Sequence, residues 1–136
     1  MSHYSRIKTC IREAPILITA LHEMGFEKVE HLVAAQPLFG YQGDQRLETA
    51  EVIIRRQDIG RVSNDVGFKL EGSGEYQAVI SEYDGRTRFN SGWLQELNRR
   101  YSYHVVYEQA REQNLIVEED YVTAAGERVL ILSERA

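Results

Sequence analysis

Residues 65–83, DVGFKLEGSGEYQAVISEY, contain the clearest strand pattern of the chain. Apolar and polar side chains alternate over Asp65–Glu71 and again over Glu75–Tyr83, as they do in strands that bury one face. The intervening turn, Gly72–Gly74, has a glycine at each end. A short glycine-containing loop between two alternating segments is typical of a β-hairpin. The sequence therefore predicts two antiparallel strands here.

The segments on both sides of this hairpin extend the pattern. Most are short, alternating and separated by turn residues, which favours antiparallel neighbours over parallel strands joined by crossovers. The other expected strands are Ser2–Ile11 at a sheet edge, a segment through Val29–Val33, Ala50–Arg56, Leu115–Val122 and Arg128–Leu132.

Two amphipathic helices are also predicted. The first begins near Pro15 and ends at Gly25, with apolar residues at helical spacing between them. The second begins near Ser91, which is a suitable N-cap, and has Asn114 as a suitable C-cap. The β-branched residues that follow Tyr101–His104 favour a break in this helix.

These elements predict an α+β fold, with residues 1–136 as a single domain. The expected architecture is a two-layer sandwich in which a mainly antiparallel sheet carries two helices on one face. The other face is expected to bear Ile53, Tyr76, Val79 and Tyr83. So much bare apolar area would be unusual for a monomer, which favours a homodimer or a complex with another protein.

The amino-acid composition limits the kinds of protein that this chain is expected to be. Of 136 residues, 43% are hydrophobic and 27% charged, as in an ordinary globular domain. The single cysteine, Cys10, precludes an internal disulfide and suits a reducing compartment. No apolar run approaches the length of a membrane helix, and charged residues interrupt every candidate signal segment. A cytoplasmic location is expected, or a stromal one if the chain is encoded in a plastid.

The charge is acidic, with a net value of −5. Proteins that bind nucleic acids usually present a basic face, because affinity rests largely on neutralising phosphates. Arginines do cluster at Arg86, Arg88, Arg99 and Arg100, but acidic residues lie among them. Nucleic acid is therefore not an expected partner.

Three stretches together resemble a known family: Met1–Thr9 (MSHYSRIKT), Gly40–Gly43 (GYQG) and Asn98–Val106 (NRRYSYHVV). They are similar to the signature blocks of the hypothetical chloroplast open reading frame family thirty-five, a Ycf-type domain of unknown function found in plastids, cyanobacteria and other bacteria. The resemblance implies a small soluble domain. It also implies an AAA+ ATPase as a candidate partner, since relatives are often encoded beside one. Asp58–Asn64 departs from the family pattern and is expected to be a lengthened turn.

The aromatic and basic cluster on the second helix admits three interpretations. Its members are Arg99, Arg100, Tyr101, Tyr103, His104 and Tyr107. They could pack on the sheet and pair with carboxylates as purely structural groups. They could form a binding surface, because tyrosine and arginine are enriched at interface hot spots. His104 could instead act as a general base with a tyrosine as the acid.

A metal or small-ligand site is the alternative to an interaction surface. The four histidines lack the close spacing of a zinc motif, although His3 and His104 could meet if the first strand lies under the second helix. A pocket would then be built from His3, Tyr41, Tyr101, Tyr103 and His104. The acidic run Glu118–Asp120 lacks the pattern of a calcium loop and is expected to be a solvated strand end.

The sequence thus favours a non-enzymatic protein-interaction or adaptor module. The patterns point to no catalytic residue, metal ligand or cofactor. The alternative is a protein, either a binding protein or an enzyme, that holds a small ligand or a metal in a pocket lined by histidine and tyrosine. The candidate binding residues are His3, Tyr41, Arg99, Arg100, Tyr101, Tyr103 and His104.

Overall fold

The structure is a computed structural model that describes residues 3–134. Ser2, which begins the first predicted strand, lies outside the described residues, as does Met1 of the first signature stretch. The elements in chain order are β1 (Tyr4–Lys8), α1 (Ala14–Glu23), β2 (Glu30–Phe39), β3 (Gln45–Ile54), β4 (Val66–Leu70), β5 (Tyr76–Ser81), α2 (Glu82–Arg86), α3 (Ser91–Glu112), β6 (Leu115–Val122) and β7 (Arg128–Glu134).

Five strands form the main sheet in the order β1-β5-β4-β3-β2, and every neighbouring pair is antiparallel. The predicted α+β class and antiparallel sheet are therefore confirmed. The β4–β5 hairpin is the one expected from the alternating pattern, with β1 at a sheet edge. Gly74 closes the turn at φ +88°, a conformation that glycine adopts without steric cost.

Helices α1 and α3 cover one face of this sheet. Side chains from β3, β4 and β5 meet those of both helices in a continuous apolar cluster that includes Leu17, Leu21, Val52, Phe68, Ile80 and Leu97, all at most 1% exposed. Pro15 lies in the first turn of α1, and Gly25 follows its end at φ +101°, as predicted. The main core is thus built between the helices and the sheet.

The second face of the sheet is covered by the chain itself, which corrects one expectation. Register shifts in the β2–β3 pairing bend this hairpin, and Leu38 and Ala50 join Ile53 and Val79 in a second buried cluster. Ile53 and Val79 are 0% and 1% exposed, so neither offers a bare apolar surface to a partner.

The two tyrosines predicted for that face also lie elsewhere. Tyr76 is 5% exposed and belongs to the cluster beneath the helices. Tyr83 lies in the short helix α2, which the sequence pattern did not reveal. The predicted face was wrong because strand alternation does not show which neighbouring segment folds over a surface.

Helix α3 is continuous from Ser91 to Glu112, so the predicted break near Tyr101–His104 is wrong. Packing on both sides of the helix outweighs the weak helix propensity of the β-branched residues. Asn90, rather than Ser91, is the N-cap, and its side chain accepts a hydrogen bond from the backbone N–H of Trp93. Asn114 follows the helix at φ 58°, in keeping with its predicted role.

The chain ends in a separate two-stranded sheet, β6–β7, which packs against α3. Its turn places Gly126 at φ +85°. Within residues 3–134, no helix combines the length and the apolar character needed to cross a membrane.

Gly67 in β4 is required by the close approach of the bent β2–β3 hairpin. A Cβ at this position would lie 2.6 Å from the Cβ of Ala50 and 3.1 Å from Cδ2 of Leu38. We expect Gly67→Ala to lower the free energy of unfolding by about 1–3 kcal/mol in urea titrations, because the strands must move apart. Gly72→Ala is the matched control, since a Cβ there meets nothing within 4 Å. Equal effects of the two substitutions would contradict the packing of the second face.

Candidate functional site

The side chains of helix α3 lie on three faces, and each face has different surroundings. Because the helix turns every 3.6 residues, residues three or four positions apart share a face. Leu94, Leu97 and Tyr101 face the core. Glu96, Arg100 and His104 form a second face beside α1. A third face carries Gln95, Asn98, Arg99, Ser102 and Val106, which line a surface groove. The predicted residues Arg99–His104 are therefore divided among all three.

Tyr101 is a structural residue that joins the two helices. Its side chain is buried, and its hydroxyl accepts hydrogen bonds from the backbone N–H of Arg12 at 2.9 Å and of Glu13 at 3.0 Å. Glu13 precedes α1 and makes no capping bond with its own side chain. The phenol of α3 thus supplies the acceptor that the beginning of α1 lacks.

An ionic seam runs between the same two helices. His104 Nε2 lies 2.8 Å from Oε2 of Glu23, and Nη1 of Arg100 lies 3.7 Å from its Oε1. Arg100 Nε also contacts Glu96 at 2.8 Å. Each of these side chains keeps part of its surface in solvent, and pairs of this kind contribute little to stability. Their main effect is to orient Arg100 and His104 toward α1.

The C-terminal hairpin is attached to α3 by an aromatic and ionic cluster, which we call the hairpin clamp: Tyr103, Tyr107, Asp120 and Arg128. Nε and Nη2 of Arg128 each lie 2.8 Å from an oxygen of Asp120. The guanidinium carbon lies 3.5 Å from the centre of the Tyr103 ring, and the rings of Tyr103 and Tyr107 are 4.6 Å apart. The Tyr107 hydroxyl donates to Asp120 at 2.9 Å. An ion pair, a cation–π contact and a hydrogen bond therefore attach the hairpin to α3 at one place.

The clamp shifts the proton affinities of its members. Hydrogen bonding to Arg128, assisted by Tyr107, lowers the pKa of Asp120 from 3.8 to about 2. The hydrogen bond to Tyr103 and the bond to Asp120 raise the pKa of Tyr107. At neutral pH the carboxylate is ionised and the phenol is protonated, which is the pairing that the geometry requires.

Two open grooves flank the clamp, with volumes of about 490 and 450 Å³. Arg99, Tyr103 and Arg128 border both of them, and Arg100 lines the second. Nη1 of Arg99 donates to the carbonyl of Gly126 at 3.2 Å, which ties α3 to the turn of the hairpin. The structure thus brings Arg99, Arg100 and Tyr103 together on one surface.

His3 and Tyr41 lie at a different place, near the junction of β5 and α2. The carbonyl of His3 accepts from the N–H of Glu82, and the N–H of Tyr41 donates to Oδ1 of Asn64 at 2.9 Å. In the described part of the chain, no hydrogen bond or ring contact joins either residue to the α3 cluster. Their nearest common structure is a buried polar network.

No sequence pattern predicted this network. Asp84 is fully buried, and its Oδ2 accepts from Ser81 Oγ at 2.8 Å and from the N–H of Asn64 at 3.0 Å. Asp84 Oδ1 is buried without a hydrogen-bond partner. Asn64 is 2% exposed and lies in the connection between β3 and β4, where Asp58–Asn64 was expected to be a lengthened turn. Polar loop residues carry no sequence signal that separates buried from solvated positions.

Asp65 extends the network toward the bent hairpin. Its carboxylate accepts from the N–H groups of Phe39 and Arg56 and from Nη1 of Arg55, at 2.7 to 2.8 Å. The hydroxyl of Tyr4 donates to its carbonyl, and burial, together with the charges of Asp65 and Asp84, raises the tyrosine pKa. Over residues 3–134, no group of three or more His, Cys, Asp or Glu side chains is arranged to hold a metal ion.

Tyr101 yields a test of its structural role. We expect Tyr101→Phe to lower the free energy of unfolding by about 1–3 kcal/mol, because two backbone N–H groups lose their acceptor. Chemical denaturation measures the change. Tyr121→Phe is the same chemical change at an exposed site and should have no measurable effect. A Tyr101→Phe protein as stable as the wild type would show that the phenol oxygen is dispensable.

The clamp yields a pH-dependent test. The pKa of Asp120 is depressed in the folded state, so its stabilising effect is present above about pH 4 and is lost as pH falls toward 2. We expect the amides of β6 and β7 to exchange more slowly in the wild type than in Asp120→Asn at about pH 6, and the difference to vanish near pH 2. Comparison at equal pH cancels intrinsic exchange rates, and the amides of β4–β5 are the internal control. A difference that persists unchanged to about pH 2 would contradict this role.

Comparison with known proteins places this arrangement in a family. The family model described as "Protein of unknown function (DUF1257)" matches residues 20–131. The match includes the α3 cluster and Tyr41 but not His3. No curated protein and no solved structure shows significant similarity to the chain. Because the matched span covers most of the sequence, the chain belongs to the DUF1257 family of proteins of unknown function.

Proposed function

We propose that the chain is a non-enzymatic protein-interaction module, an adaptor, that binds its partner through the C-terminal hairpin. The observation that carries this proposal is the outer hairpin face, the side of β6–β7 turned away from α3. Its residues are Ile116, Glu118, Glu119, Tyr121, Val129, Ile131 and Ser133.

The strand register defines this face. Partners in an antiparallel pair point to the same side of the sheet. Asp120 pairs with Leu130, and Val122 with Arg128. This side faces α3, because Asp120 and Arg128 form the hairpin clamp. The alternate pairs, such as Tyr121 with Val129, lie on the opposite side.

The outer face carries three exposed apolar residues, and its fourth apolar residue, Val129, is half-buried. The exposed fractions of Tyr121, Ile116 and Ile131 are 48%, 40% and 39%. Two strands alone bury too little surface to be stable in water, so the hairpin depends on the face that packs against α3. The clamp holds that inner face, and the outer one is left presented on an ordered support. Binding surfaces placed on such rigid elements lose little entropy when they dock.

The proposal includes two candidate partners. The resemblance to the hypothetical chloroplast open reading frame family thirty-five makes an AAA+ ATPase one candidate, and a second copy of the chain is another. The site of action would be the cytoplasm, or the stroma for a plastid-encoded member. The α3 grooves beside Arg99, Arg100 and Tyr103 lie next to the hairpin and would extend the contact surface.

Capture from the lysate of the source organism tests the proposal. Wild-type protein and a Tyr121→Ser/Ile131→Ser variant would each be immobilised, and the bound proteins quantified by mass spectrometry. We expect at least one protein to be retained by the wild type and depleted by about tenfold or more with the variant, because two apolar anchors are lost.

A matched control removes two apolar side chains at another exposed place. Val33 and Leu47, on the β2–β3 hairpin, are almost wholly exposed, so Val33→Ser/Leu47→Ser should leave capture unchanged. Circular dichroism would verify that all three proteins are folded. Identical captured sets for the two variants would place the binding surface elsewhere, and an empty set for the wild type would count against an interaction module.

A further inference from the structure

The hairpin holds most of the net negative charge of the chain. Residues 115–134 contain five acidic residues and one arginine, which gives a formal charge of −4, against −5 for all 136 residues. This concentration lies on a single two-stranded element. It is therefore a local property of the hairpin and is not spread over the acidic protein as a whole.

The charges are divided unequally between the two sides of the hairpin. Arg128 lies on the inner side, where its guanidinium is occupied by Asp120. Glu119 pairs with Ile131 on the outer side, and Glu118 reaches the same side, where its Oε1 accepts from Ser133 Oγ at 2.8 Å. Among the described residues of β6 and β7, the outer face includes no basic side chain. Within the two strands, its apolar residues are thus accompanied only by negative charge, and the nearby Arg111 of α3, which lines a groove with Ile116, is paired with Glu108.

The dimensions of this face suit a helix. At about 3.3 Å per residue, the eight residues of β6 span roughly 26 Å. A helix of about 17 residues has the same length at 1.5 Å per residue. An apolar stripe on such a helix would lie along Ile116, Tyr121 and Ile131, while its flanks would approach the two carboxylates. Interfaces commonly have this arrangement of an apolar centre and a polar rim.

We propose that the outer hairpin face binds a basic amphipathic segment of a partner protein. This inference rests on the proposed function and specifies the chemistry of the partner. Lysine or arginine beside the apolar stripe would meet Glu118 and Glu119, and the acidic hairpin would attract such a segment from a distance. Affinity should therefore combine an apolar contribution with one that salt weakens.

A second copy of the chain fits this face less well. A symmetric dimer places the same patch of both subunits in contact. Two outer faces stacked on each other would bring Glu118 and Glu119 of one copy near the same carboxylates of the other. Like charges at an interface disfavour association. The charge that suits a basic segment thus opposes self-association through this surface.

Fluorescence anisotropy with designed peptides tests this inference on the full chain. One probe is a labelled amphipathic helix of about 17 residues made of leucine and lysine. The second keeps the leucines and replaces every lysine by glutamate. We expect the lysine probe to bind at least about tenfold more tightly than the glutamate probe at about 50 mM salt, and this preference to shrink at about 500 mM.

Three variants locate the binding surface. Tyr121→Ser/Ile131→Ser should weaken binding of the lysine probe about tenfold by removing apolar anchors. Glu118→Gln/Glu119→Gln keeps the shape of the face and should weaken binding severalfold while reducing its dependence on salt. Val33→Ser/Leu47→Ser is the control and should bind as the wild type does. The glutamine variant keeps the test decisive if the serine variant disturbs the hairpin.

Three outcomes would overturn the inference. Equal binding of the two probes would remove the role of charge, and wild-type affinity in the glutamine variant would place the lysine probe on another acidic surface. A dimer in sedimentation velocity that dissociates with Tyr121→Ser/Ile131→Ser would assign the face to a second copy. In each case, a native partner still lost selectively with the serine variant would leave the proposed function standing. If only the lysate capture fails, the proposed function is rejected, while the preference of the outer hairpin face for a basic peptide still stands.

Discussion

The buried carboxylate of Asp65 is the constraint on which the arrangement of the main sheet depends. It accepts hydrogen bonds from the backbone of Phe39 in β2 and of Arg56 beyond β3, and it pairs with the Arg55 guanidinium. These bonds close the bent β2–β3 hairpin over the second face of the sheet. Losing one member of a buried charged pair costs about 3–5 kcal/mol, so this closure is strongly coupled to a single side chain. Both faces of the sheet are then occupied by the chain itself.

Helix α3 contacts the core, the beginning of α1 and the C-terminal hairpin. Its core face completes the apolar cluster, and the Tyr101 hydroxyl supplies the acceptor for the beginning of α1. Its opposite side holds the C-terminal hairpin through Tyr103 and Tyr107. One aromatic and basic stretch therefore serves as core, helix junction and hairpin support. Its composition resembles that of a hot spot, yet the contacts of Tyr101 and Tyr103 are largely internal.

The consequence for function is a separation of roles between the two sheets. The five-stranded sheet is enclosed by helices on one side and by its own bent hairpin on the other. The two-stranded sheet is attached to α3 through Asp120 and Arg128 on one side, where Val122 is nevertheless 63% exposed, and its other side carries carboxylates beside exposed apolar residues. An adaptor needs a surface of this kind on a stable support. The acidic run Glu118–Asp120 is exposed, as expected, and it divides between the clamp, through Asp120, and the proposed docking face, through Glu118 and Glu119.

Local elements could be predicted from the sequence alone: the β4–β5 hairpin, the ends of α1 near Pro15 and Gly25, and the terminal hairpin. Alternation, helical spacing and glycine turns act over a few residues, so they can be read without knowledge of distant neighbours. The predicted binding residues Arg99, Arg100 and Tyr103 line one set of grooves, but no residue of the outer hairpin face was among those predicted. Long-range packing, in contrast, buries Ile53, Val79 and Asp84. It also turns Asp120 toward α3 and Tyr121 toward solvent. Each of these outcomes depends on which remote segment comes into contact, and local patterns carry no information about that choice.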